Sequence, residues 1–164
     1  MRSNKSIFIT KKLRDLAGSE VLFYEKLNSI FNGTLDEAIV GQIPHFVSKD
    51  NESRPLILTK SIIQKIETDH GKIVPENLII NANDWDYVIR SVDGNEDKIN
   101  LFKKIPDSSN ILIIGANRIN GYFMLTYYEV LTRNPEKLKD LLKRGDPVDA
   151  TGGAAVPSSA TFLL

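Results

Sequence analysis

Near Trp85 the spacing of apolar residues changes from steps of three and four to steps of two, and no other feature constrains the fold of this chain as much. Upstream, Ile62, Ile63 and Ile66 recur as on one face of a helix; downstream, apolar and polar residues alternate as along a strand. The alternation predicts strands over about 85–92, 98–105, 110–117 and 121–128. Between them lie the turn-forming Asp93-Gly94-Asn95, Pro106-Asp107-Ser108-Ser109 and the run from Asn117 to Gly121. A parallel neighbour needs a crossover of a dozen or more residues, so connections this short imply an antiparallel meander. Ile111 to Ile114 is continuously apolar, as in a central strand covered on both faces.

The rest of the chain reads as helices and connectors. Leu13 to Phe31 carries an amphipathic stripe with a potential break at Gly18-Ser19, and Asn32-Gly33 ends it. Thr34 with Glu37 has the pattern of a capping box for a second short helix through Val40. Residues 41–55, with Gly41, Pro44, Ser48, Asp50, Asn51, Ser53 and Pro55, read as a connector. Leu56-Ile57-Leu58 reads as a short strand, Thr59 or Ser61 as the cap of the next helix, and Gly71 as its stop. Pro75 to Ile80 and Pro135 to Lys143 predict two further helices. These boundaries divide the chain into a helical segment over 1–50, a main domain over 51–149 and a tail over 150–164, expected to be flexible.

Composition narrows the function. Lys plus Arg total 21 and Asp plus Glu total 21, so no global charge marks a basic nucleic-acid scaffold or an acidic mimic, and any electrostatic site is local. Cysteine is absent and there are only two histidines, His45 and His70, which removes thiolate chemistry and disfavours a zinc site. No apolar run approaches the roughly 20 residues of a membrane span, and Ile7-Phe8-Ile9 is too short for a signal peptide. The expectation is a cytoplasmic protein, or one delivered into a target cytoplasm, with no membrane partner and no cofactor.

His70 falls one turn beyond Ile66 on the same stripe, so its imidazole is expected to face the sheet, as a general acid or base or as a hydrogen-bonded structural residue. Strict alternation puts Tyr122, Met124, Thr126 and Tyr128 on one face of the last strand and Phe123, Leu125, Tyr127 and Glu129 on the other. Arg90 sits inside an otherwise apolar strand, Lys103 and Lys104 end the next, and Arg118 lies by the last turn; these are the candidate phosphate cations. A histidine, cations and a Thr/Tyr pair on one sheet match the needs of metal-independent RNA cleavage: deprotonation of a 2′-hydroxyl, in-line attack, and stabilisation of charge on the phosphoryl oxygens.

Five segments, LILTKSIIQKIETDHG, WDYVIRSV, KINLFKKI, NILIIGANR and GYFMLTYYEVLTRNPEKL, resemble phage-associated members of the barnase, EndoU, colicin and RelE-like nuclease superfamily, across about Leu56 to Pro147. The resemblance implies an α+β fold with N-terminal helices packed on a twisted antiparallel meander of four to five strands. It implies His70 as the helix histidine, Thr126 with Tyr128 as the hydroxyl pair of the last strand, and Arg90 or Arg118 as catalytic cation. Lys104 and Tyr127 are the candidates for substrate binding. It further implies RNA as substrate, tRNA included, and an immunity or antitoxin protein as partner. EndoU-like members use two histidines; here the second, His45, lies outside the matching segments, whereas RelE-like members work without one. The competing expectation is a non-enzymatic interaction or assembly module of a phage-derived protein. A transferase on nucleotide-bearing substrates, such as an ADP-ribosyltransferase, would need an Arg, Ser-Thr-Ser, Glu series that the chain lacks.

Overall fold

The structure, a computed structural model, describes residues 20–48, 51–91, 97–105, 108–132 and 135–148. Among these the chain forms helices α1 (Glu20–Phe31), α2 (Lys60–His70), α3 (Pro75–Asn83) and α4 (Pro135–Leu142). The strands are β1 (Glu37–Ile43), β2 (Arg54–Thr59), β3 (Tyr87–Ser91), β4 (Lys98–Lys104), β5 (Asn110–Ile119), β6 (Tyr122–Thr132) and β7 (Gly145–Pro147). The Asp93-Gly94-Asn95 turn, Pro106-Asp107, the stretch from Leu13 to Ser19 and the tail lie outside the described residues.

The fold is α+β, but the sheet is a mixed one of seven strands in the order β1-β2-β6-β5-β4-β3-β7, not a meander of four to five. The four strands expected from the period change are antiparallel neighbours in sequence order, β3 to β6. The β1–β2 hairpin extends them on one side through a short parallel pairing, Leu56 with Phe123 and Ile57 with Met124. On the other side β7 pairs with β3.

The expected short helix after Thr34 is instead β1. Thr34 Oγ1 donates to Ser29 O and to Asn32 Oδ1, so it is tied to the end of α1 and does not cap the segment after it. Ala38, Val40 and Ile43 are then buried in a strand with a bulge between Ile39 and Gly41, and tertiary burial overrides the local capping pattern. By contrast α2 forms as expected. The Thr59 side chain accepts from Ile62 N, and Gly71, at φ 89, stops the helix with its N–H on Glu67 O. That left-handed φ favours glycine.

Helices α1, α2 and α3 cover one face of the sheet, burying Val40, Leu56, Leu58, Ile99, Leu101, Leu112, Ile114 and Phe123 completely. On the opposite face Leu138 and Leu141 of α4 pack against Tyr87, Ile89, Phe102, Ile111, Ile113 and Leu131. No described helix is long and apolar enough to cross a membrane.

Candidate functional site

The site is set by one irregularity. Pairing of β5 with β6 passes from Gly115–Tyr127 to Ala116–Leu125, so Thr126 is an extra residue on β6. A single extra residue exchanges the two faces of everything beyond it. Before the bulge, Phe123 and Leu125 face the helices; after it Tyr128 does, while Tyr127 packs with the opposite cluster.

The expectation that Thr126 and Tyr128 share a face with His70, and that Tyr127 faces away, is therefore corrected. Tyr128 is buried, its hydroxyl has no hydrogen-bond partner among the described residues, and burial pushes that hydroxyl well above its ordinary pKa. Thr126 Oγ1 donates to Gly115 O at 3.4 Å and so helps to close the bulge.

What meets His70 is the other pair. Helix α2 packs on β6 and β2 through Ile63 and Ile66 on the helix-bearing face, but β2 pairs with β6 only at Phe123 and Met124. Past that point the last residue of α2 meets the Tyr127 ring edge-on at the edge of β6, centroids 5.4 Å apart. His70 Nδ1 lies 4.0 Å from Glu129 Oε1, just beyond hydrogen-bonding distance. The Tyr127 hydroxyl donates to the same oxygen, and Lys137 Nζ from α4 donates to both carboxylate oxygens at 2.7 Å. The His70 side chain is 27% exposed and that of Glu129 13%, so the imidazole meets solvent while the carboxylate beside it is shielded. His70 Nε2 has no partner among the described residues and so is available to exchange a proton with a bound molecule.

On the far side of Tyr127 is a cleft of about 240 Å³ lined by Ser91, Lys98, Asn100, Gly115, Tyr127, Leu141 and Arg144. Its floor is a cross-strand row in which Asn100 pairs with Gly115 and Gly115 with Tyr127. A Cβ at Gly115 would stand 3.1 Å from Tyr127 Cβ and 3.2 Å from Asn100 Oδ1, so glycine keeps this floor open. Lys98 and Arg144 have no acidic partner among the described residues.

The expected cations lie elsewhere. Arg90 Nη1 donates to Val47 O on the helix-bearing side. Arg118 faces Asp97 at 3.5 Å and donates through Nε to Asn120 O, at the far end of β5. Lys104 ends β4 opposite Ile111, its N–H on Asp86 Oδ2, away from the row that holds Tyr127. His45 Nδ1 sits 3.2 Å from Asn51 Oδ1, against Phe46. Among the described residues no three His, Asp or Glu side chains converge as a metal ion requires.

Sequence reasoning missed Glu129 as a partner of His70, and missed Lys137, Lys98, Asn100 and Arg144 altogether. One signal was present: Lys98 and Asn100 alternate on one face of a strand that is otherwise apolar up to Phe102. No family model, curated protein or solved structure matches the chain.

Proposed function

We propose that the protein is a metal-independent endoribonuclease of the toxin or phage-effector kind, with RNA lying across the open face of the sheet. The observation that carries this reading is that Tyr127 joins two things on one face: an imidazole next to a carboxylate, and a cleft bearing two cations without acid partners. In this reading His70 Nε2 takes the 2′-hydroxyl proton, the 2′-oxygen forms a bond to phosphorus, and the bond to the 5′-oxygen breaks. The 5′-oxygen leaves with a proton from water in the open cleft, giving a 2′,3′-cyclic phosphate. Lys137, Lys98 and Arg144 offset charge on the phosphoryl oxygens, and Glu129 positions the imidazole.

The competing reading, a non-enzymatic interaction module, is favoured by one observation: both Glu129 oxygens are already engaged by Tyr127 and Lys137, as in a structural lock. RNA cleavage by purified protein in excess EDTA separates the two. The nuclease reading expects cleavage that EDTA leaves unchanged and that His70→Ala lowers by about a hundredfold or more, with the fold intact by circular dichroism. A parent protein that cleaves no RNA, or a variant cleaving at the parental rate, rejects it.

A further inference from the structure

Asn100 is the least expected residue in the cleft. It is 8% exposed, it lies among the apolar residues of β4, and its side-chain amide has no hydrogen-bond partner among the described residues. Its polar atoms are not sealed in the interior but open onto the cleft, where a bound molecule can reach both its acceptor and its donor. What surrounds it says what that is. Tyr127 offers an aromatic ring and Leu141 an apolar wall, Gly115 leaves the floor flat, and Lys98 and Arg144 supply positive charge. A cavity of about 150 Å³ accepts a benzene ring; this one, at about 240 Å³, has room for a larger planar ring.

We propose that the cleft binds a nucleotide unit, with the base edge on Asn100 and its phosphate on Lys98 and Arg144. A carboxamide carries one acceptor and one donor group side by side, the complement of the adjacent donor and acceptor on a base edge. Unstacked RNA bases are held in this way, on an aromatic side chain with the edge hydrogen-bonded. Lys98, Asn100 and Phe102 alternate along one face of β4, so the cation and the amide point into the cleft from the same strand. The proposal deepens the nuclease reading, on which it rests for the identity of the ligand, by giving the enzyme a base-holding subsite beside His70.

The test is equilibrium binding, by calorimetry, of the four nucleoside 3′-monophosphates, with inorganic phosphate and the unphosphorylated nucleosides as separate probes. At least one nucleotide is expected to bind about tenfold or more tightly than phosphate, the order of gain that a two-bond base contact supplies. Asn100→Ala is expected to abolish that preference and leave phosphate binding in place. Lys98→Ala, at a half-exposed position where folding is not at stake, is expected to weaken phosphate and nucleotide alike. Phosphate binding as tightly as every nucleotide, or Lys98→Ala binding as the parent does, overturns the proposal. His70→Ala separates the two readings: it removes cleavage if the nuclease assignment holds and leaves nucleotide binding intact if the cleft assignment holds.

Discussion

The two faces of the sheet are built to different rules. The face under α1, α2 and α3 is a continuous apolar layer in which Leu56, Leu58, Ile99, Leu101, Leu112, Ile114 and Phe123 are fully buried. Among the described residues the opposite face is covered by α4, and beside that helix the row Asn100, Gly115 and Tyr127, with Glu129 on the next position of β6 on the same face, carries polar groups. The helix side holds the chain together; the open side has the groups that can meet another molecule. The bulge at Thr126 decides which tyrosine belongs to which face.

The largest effect that would sharpen this contrast is on the helix side. Phe123→Ala removes a fully buried ring and is expected to cost about 3–5 kcal/mol in denaturant unfolding, close to the whole stability of a small domain. A loss under about 1 kcal/mol would mean that this face is not the core. On the open side the balance reverses. Glu129→Gln keeps the side chain's shape, leaves no shielded charge behind and breaks an ion pair whose lysine is 40% exposed, so stability should change by no more than about 1 kcal/mol. RNA cleavage should nevertheless fall by about tenfold or more, part of what positioned proton transfer supplies.

Alkaline pH probes the boundary between the faces. Burial holds the Tyr128 hydroxyl above its ordinary value of 10, so the folded protein keeps a proton that the unfolded chain loses. The stability carried by the neutral ring is complete below about pH 10 and falls as pH rises through the folded-state value, by up to about 1.4 kcal/mol per pH unit. Tyr128→Phe should flatten that fall in urea titrations at stepped pH, and at neutral pH should be neutral or stabilising by up to about 1 kcal/mol, since it deletes an unpaired hydroxyl. The smallest effects belong to Arg118→Ala and Lys104→Ala, which lie away from the cleft and should leave cleavage within about twofold of the parent.

Local signals were legible in the sequence and long-range ones were not. The cap at Thr59, the stop at Gly71 and the stripe that brings His70 to the sheet are encoded within a few residues of one another, and each appears in α2. The order β3 to β6 follows from short turns. What escaped depends on partners distant in the chain. β1 forms because Ala38, Val40 and Ile43 are buried against β2 and the helices, against a capping pattern that favours helix. The Thr126 bulge arises in the pairing with β5, so alternation alone assigned Tyr127 and Tyr128 to the wrong sides and hid Glu129. Lys137 reaches Glu129 only because α4 returns across the sheet.

The central claim is that the bulge turns Tyr127, and not Tyr128, toward His70, and the most direct measurement is the RNA cleavage rate of Tyr127→Phe beside that of Tyr128→Phe. Tyr127→Phe deletes the hydroxyl that donates to Glu129 and should lower the rate by about tenfold, whereas Tyr128→Phe alters only the helix side and should cleave as the parent does. A rate that falls in Tyr128→Phe and holds in Tyr127→Phe would contradict it.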